Sequence, residues 1–498
     1  MNYGVVGYIL GWILKSEAVF LILPFIVGLI YGENSAYSFI ITAGICLLFG
    51  LLLNIHKPKK GGLFLKEGFF VVALGWIVMS IFGALPFVIS GEIPRFIDAL
   101  FETASGFSTT GATILSDVES ISHACLFWRS FTHFLGGMGV FVFLSALLPM
   151  LGGNTINLMK AESTGPSVDK LVPRIRDTVK ILYSIYIAIG VIECILLLIF
   201  GMDLFESLCT TFGTIGTGGF GIRNDSIASL SPAIQWVITI FMFLSGVNFS
   251  MYFLILRKKF KAALCLEEIR LYFLVFVIAA AAITINLRLN MPSSIAPAAD
   301  EATALVNAKE PLSDTIRTAS FQVSTLLTST GFATTDFDLW PEFSKCILIL
   351  CMLMGACAGS TGGGINMSRV LIIFKSIKNQ VKTLIHPRSV SKIRMDGNVI
   401  DSDTVRSTQV YIGIFVIIFA VSTLILSIDG HDFTTNFTAV LATLNNMGPG
   451  LNKVGPTCNF GFFSDMSKLV LVFDMLAGRL ELLPMLLLIT PKSWRKNL

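Results

Sequence analysis

The sequence predicts an all-α integral membrane protein: four helix–pore-loop–helix repeats around one pseudo-fourfold pore, plus an N-terminal two-helix hairpin. Three observations predict it. Of 498 residues, 54% are hydrophobic and only 14% are charged, against about 25% charged in soluble domains. The apolar residues fall in long blocks, and crossing a bilayer takes about 20 of them. Four short stretches between the blocks resemble one another, each opening on Asp and closing on Gly. Such a repeat outranks any local motif as a guide to architecture.

The elements follow in order. Ten spans are predicted, near 15–31, 36–54, 67–90, 124–150, 178–201, 232–256, 268–289, 343–374, 407–428 and 466–490. The first two make the hairpin, residues 1–60. Met1–Leu14 lacks the charged start and small-residue cleavage site of a secretory signal and is read as part of it. The other eight pair into repeats at 61–160, 161–262, 263–395 and 396–498. Every second loop is basic: Lys57 to Lys66, Lys160 to Arg176, Arg257 to Lys261, Arg369 to Arg394 and Lys492 to Lys496. Basic loops stay cytoplasmic, so both termini are expected there. The net charge of +4 comes from these loops and points to no nucleic acid. The intervening loops carry Glu92, Asp117, Glu119, Asp300 and Asp429 and face outside.

Each of four outer loops holds an apolar stretch too short to span, which suits a re-entrant segment. They begin at Asp98, Asp203, Asp314 and Asp432 and close at Gly111, Gly218, Gly331 and Gly448. Asp is a favoured helix N-cap, and its charge suits the positive end of the helix dipole. A short helix starting at each Asp points its negative end into the membrane, where four such ends favour a cation. A following Gly lets the backbone turn with positive φ and aim its carbonyls inward. Carbonyl rings are how potassium filters replace the ion's water shell.

Two features sit below these loops. The segment Phe343–Lys375 is too long for one span. Gly355, Gly359, Gly362, Gly363 and Gly364 interrupt it, so two half-helices joined by a flexible loop are expected. Ser360, Thr361 and Asn366 give that loop polar groups. Helix packing through the GxxxG of Gly355 and Gly359 is the alternative reading of the same glycines. Arg479 lies within the last span, where a charge needs a partner or water. Asp474 and Glu481 do not share its helix face, and Glu193 is a distant candidate.

No enzyme is predicted. The nine cysteines lie mostly in apolar segments without a CxxC pair, and the five histidines are scattered. No metal site or nucleophile–base pair emerges. The run Gly216 to Gly221 matches GxGxxG, but it lacks the strand–turn–helix context of a dinucleotide site.

STTGAT at 108–113, FWRSFTHFLGGMGV at 127–140, TGGF at 217–220, TSTGFAT at 328–334, MGACAGSTGGGINMSRV at 354–370, NNMGPG at 445–450 and MLAGRLELLP at 475–484 together resemble one family. The chain is similar to the Trk/Ktr/HKT superfamily of potassium transporters, and within it to the bacterial Trk-type membrane subunits of the TrkH/TrkG class. The resemblance implies a filter at Thr110-Gly111, Thr217-Gly218, Thr330-Gly331 and Met447-Gly448. It implies a gate formed by the 355–366 loop, including Gly355, Gly359, Ser360, Thr361, Gly362, Gly363 and Gly364, with Arg479 facing the conduction path. It further implies a homodimer in the bacterial inner membrane and a cytoplasmic TrkA-like ring of RCK regulator subunits. No cofactor is expected on this chain; potassium is the substrate, and a nucleotide (ATP/ADP or NAD(H)) is expected on the partner. The rivals are a sodium-permeable or sodium/proton-coupled member of the superfamily, and a secondary transporter of another small solute. The latter fits less well, because the repeats share one orientation instead of the inverted arrangement typical of such carriers.

Overall fold

The computed structural model describes residues 3–55, 65–137, 139, 175–290, 311–387 and 392–494. The fold is an all-α membrane fold; among the described residues the strands are Arg394–Met395 and Asn398–Val399, paired antiparallel with Arg394 opposite Val399. The hairpin is α1 (Tyr3–Phe20), α2 (Ile22–Ile30) and α3 (Ala36–Leu53). Its first crossing runs Tyr3–Ile30, so it starts well before the predicted residue 15.

Each following unit has an outer helix, a short pore helix and an inner helix. The first has α4 (Leu65–Ser90), α5 (Phe96–Phe107) and α6 (His123–Gly137). The second has α7 (Ile175–Ile199), α8 (Leu204–Ile215), α9 (Pro232–Ser245) and α10 (Phe249–Leu256), followed by the short α11 (Phe260–Leu264). The third has α12 (Glu267–Asn290), α13 (Leu312–Leu327), α14 (Glu342–Leu353) and α15 (Met367–Ile385). The fourth has α16 (Ser402–Leu426), α17 (Phe433–Leu444), α18 (Asp465–Arg479) and α19 (Leu483–Ile489). Two of the expected domain boundaries, at 60 and 160, lie outside the described residues.

Among the described residues six helices are long and apolar enough to cross a membrane: the two hairpin crossings and the four outer helices. The inner helices of the second, third and fourth units are interrupted. Pro232–Ser245 and Phe249–Leu256 meet at 92°, so the predicted span 232–256 is broken. The predicted span 466–490 breaks at Glu481 and Leu482, which both take positive φ. The far half of the predicted span 124–150 falls outside the described residues. The expected break within 343–374 is present, between Leu353 and Met367.

The solvent logic is that of a bilayer. Ile187, Val191 and Ile195 on α7, Phe273 and Val277 on α12, and Val416 and Val421 on α16 are exposed. Buried positions on the pore helices are rich in hydroxyls and amides: Thr103, Ser207, Thr214, Gln322, Ser324, Thr325, Asn436 and Thr438. Apolar residues outside and polar residues inside suit a chain dissolved in lipid around a polar interior.

Candidate functional site

The four pore helices end alike. Ser108, Gly216, Thr328 and Asn445 are their C-caps. The next residue in each loop, Thr109, Thr217, Ser329 and Asn446, takes positive φ between 52° and 57°. The one after donates its amide five residues back: Thr110 to Ser105, Gly218 to Gly213, Thr330 to Thr325 and Met447 to Ala442, at 2.8–2.9 Å. Then comes a glycine with positive φ: Gly111, Gly219, Gly331 and Gly448. This register corrects the second loop. The counterpart of Gly111 is Gly219; the expected Thr217-Gly218 pair sits one residue early, because four glycines, Gly216, Gly218, Gly219 and Gly221, occur close together there.

The four glycines close a ring. A Cβ built on Gly111 would collide with the Gly218 carbonyl oxygen, and one on Gly219 with the Thr330 oxygen. On Gly331 it would lie 2.5 Å from the Met447 oxygen, and on Gly448 2.9 Å from the Thr110 oxygen. Each loop therefore presses its glycine on the next loop's carbonyl, and the fourth returns to the first. Asn446 reinforces that closure, its Nδ2 donating to Thr110 Oγ1 at 2.9 Å and to the Met475 carbonyl at 2.8 Å. Loops one and three also share a hydroxyl pair at matching positions, Ser108 with Thr110 and Thr328 with Thr330, both at 2.7 Å. A cavity of about 120 Å³ lies over the ring, lined by all four glycines and by Arg129 and Asn224.

Side chains brace the ring from behind. His133 is fully buried; its Nδ1 lies 2.9 Å from the Gly106 carbonyl, and its Nε2 accepts the Phe220 amide at 3.3 Å. A neutral imidazole with the proton on Nδ1 satisfies both. Glu102 pairs with Arg129 at 2.5 Å and accepts the Ile114 amide at 3.0 Å. Arg129 also donates to the Gly221 carbonyl and lies over the Phe220 ring. Loop one, loop two and α6 are thus one unit. The sequence signal for these residues was an imidazole and a guanidinium within an apolar span.

Two pore helices carry an aspartate at the N-cap with a side-chain capping bond. Asp203 accepts the Phe205 and Glu206 amides, and Asp432 accepts from Thr435. The hydrogen bond from the Thr435 hydroxyl, with its amide, holds the Asp432 carboxyl below the usual range. The other two differ. The N-caps there are Arg95 and Pro311, and Asp98 and Asp314 sit within the first turn. Asp98 pairs with the buried Lys468 at 2.6 Å, and Asp314 with Arg317 at 2.5 Å.

Directly beneath lies the 354–366 loop. Gly363 donates its amide to Ser329 Oγ at 2.7 Å. A Cβ on Gly362 would sit 3.0 Å from the Thr328 carbonyl oxygen, and one on Gly363 2.9 Å from that of Asn445. The loop also bonds the break in the second unit, with Cys357 donating to the Gly246 carbonyl and Phe249 to that of Gly359. Arg479 reaches across: it donates to the Thr361 carbonyl at 2.7 Å and to the carbonyls of Gly136 and Gly137 at 2.5 and 2.9 Å. These last two belong to the C-terminus of α6, where unpaired carbonyls and the dipole favour a cation. Two residues on, Glu481 pairs with Arg369 at 2.5 Å. Ser360 and Asn366 lie in the same loop, and Ser360 closes a turn onto the Cys357 carbonyl at 2.6 Å.

A family model described as "Cation transport protein", TrkH, matches residues 36–496. The chain is 35% identical to the Trk system potassium uptake protein TrkH of Escherichia coli (strain K12), over 100% of both chains. It is 32% identical to the Trk system potassium uptake protein TrkG of the same strain, over 99% of this chain and 98% of that one. Its fold matches the crystal structure of the potassium transporter TrkH from Vibrio parahaemolyticus with a TM-score of 0.83 at 30% identity, over 99% of this chain and 100% of the other. With a continuous match over nearly its whole length, the chain belongs to the TrkH family of cation transport proteins.

Proposed function

We propose that this protein takes up potassium across a bacterial inner membrane through the ring formed by Thr110-Gly111, Gly218-Gly219, Thr330-Gly331 and Met447-Gly448. The observation that carries the reading is the closed cycle of glycine-to-carbonyl contacts around the four loops. Carbonyl dipoles there replace the water lost by a monovalent cation. The four pore helices end at the ring, so their negative dipole ends lie beside it. Relatives named as potassium uptake proteins favour potassium as that cation. The membrane potential drives the ion; no covalent chemistry is involved.

The 354–366 loop is the gate in this reading. It lies against the ends of pore helices three and four and is held by Arg479. The protein works as a homodimer with both termini in the cytoplasm. A TrkA-like RCK ring, carrying ATP/ADP or NAD(H), moves the loop from the basic cytoplasmic face.

The test is growth of a potassium-uptake-deficient bacterium at micromolar potassium, with and without sodium. Gly111→Asp and Gly331→Asp should abolish rescue or alter ion preference while membrane expression is kept. Deleting Gly359–Gly364 should raise basal flux in liposomes at clamped potential. Full rescue with unchanged selectivity in both Asp variants would remove the filter assignment.

A further inference from the structure

Glu268 lies in the first turn of α12 with 5% of its surface exposed. It takes no part in the ring or in the Arg479 contacts described above. One carboxylate oxygen, Oε1, accepts two backbone amides: that of Ala358 at 2.6 Å and that of Ser368 at 3.0 Å. The two donors flank the glycine run Gly359–Gly364. Ala358 precedes it, and Ser368 is the second residue of α15. Asn366, the N-cap of α15, makes no side-chain capping bond. Glu268 therefore supplies from another helix the acceptor that this N-terminus lacks, at the positive end of its dipole.

The neighbouring contacts tie the same end of α12 to the middle of α15 and to the turn between the two strands. Glu267 pairs with Lys375 and also donates its amide to Asp396 Oδ1 at 2.7 Å. The loop is thus held at separate points. Arg479 holds the Thr361 carbonyl within it, and Glu268 gathers both of its shoulders.

We infer that Glu268 is a positioning residue for permeation: it pins the 354–366 loop in its occluding arrangement. It is also the point at which a displacement of α15 against α12 reaches the loop. The inference rests on the gate reading above. Lifting the loop away from the ring requires that the Ala358 bond, the Ser368 bond or both be given up. Loss of one bond to a charged acceptor shifts such an equilibrium by roughly tenfold.

The experiment measures basal potassium flux of the full-length protein in liposomes, with the potassium-to-sodium flux ratio and the melting temperature recorded alongside. Glu268→Ala removes the acceptor. Glu268→Asp keeps the charge but is one methylene short. Glu268→Gln keeps the length and an acceptor oxygen. Ala and Asp are expected to raise basal flux roughly tenfold with the flux ratio unchanged, and Gln, which keeps the acceptor oxygen but not the charge, to raise it clearly less than Ala. Wild-type flux in Asp, or a rise in Gln matching that in Ala, overturns the assignment. Should the Ala protein not reach the membrane, Asp against Gln decides. Deletion of Gly359–Gly364 separates the two claims. If it leaves basal flux unchanged, the gate reading itself falls; if it raises flux and Asp does not, only the role of Glu268 falls.

Discussion

At Gly219 the backbone turns with a φ of 71°, and the Thr330 carbonyl fills the space a Cβ would need. An alanine there is penalised twice: about 1–2 kcal/mol for the left-handed conformation, and a collision that pushes loop three off its position. Gly111 is in the same state against Gly218. Gly219→Ala is therefore expected to weaken discrimination between potassium and sodium as strongly as Gly111→Ala. Flux ratios in liposomes check this, and a wild-type ratio in Gly219→Ala would return the key place to Gly218. Sequence spacing did not separate these two glycines, since both fit an Asp-to-Gly count. The separation comes from φ and from the five-back amide bond, which are properties of the folded turn. His133 shows the reverse case: an imidazole inside an apolar segment is visible in one dimension, but its bonds to loops one and two are not.

At the scale of elements, two aspartates with one predicted role have different ones. Asp203 caps its helix, and losing a cap costs about 1 kcal/mol. Asp98 instead neutralises Lys468, whose side chain is 1% exposed; breaking a buried pair costs about 3–5 kcal/mol. Asp98→Ala should thus lower the melting temperature of the purified protein several times more than Asp203→Ala, and equal shifts would contradict the pairing. The hairpin is fastened by a different device. Glu33, in the turn between α2 and α3, accepts the His123 and Ala124 amides at 2.8 and 3.0 Å, capping α6 from outside. Burial alone would raise its carboxyl pKa, but these bonds and the His123 ring outweigh it and hold the value below the usual range. The contribution is then present at neutral pH and lost as pH falls through the lowered value. Glu33→Ala should melt earlier than wild type at pH 7, by about 1 kcal/mol, with the gap closing in acid. A gap that persists at low pH would show that the carboxylate is not its source.

For the whole molecule, the division of labour is between continuous outer helices and interrupted inner ones. Among the described residues the outer helices are uninterrupted and expose Ile, Val, Leu and Phe, whereas the inner helices end or break at Gly137, Ser245, Leu353 and Arg479. The ends at Gly137 and Arg479 and the 354–366 loop meet through the Arg479 guanidinium. A lysine there is a single point charge without the planar fork, and it cannot serve three carbonyls in the same geometry. Arg479→Lys should raise basal flux without altering the flux ratio, and flux at the wild-type level would assign Arg479 to packing alone. By itself the sequence determined that the chain lives in a membrane, that short helices return part-way through it four times, and that one inner helix is split by glycines. These are matters of length, apolarity and local composition, and they need no knowledge of neighbours. Only the tertiary structure decided which glycine of the second loop faces the next carbonyl, and that the second and fourth inner helices also break. It likewise decided that Asp98 and Glu33 act on other helices. Each of those depends on an atom far along the chain occupying a particular few ångströms, and spacing along a chain does not encode such closeness.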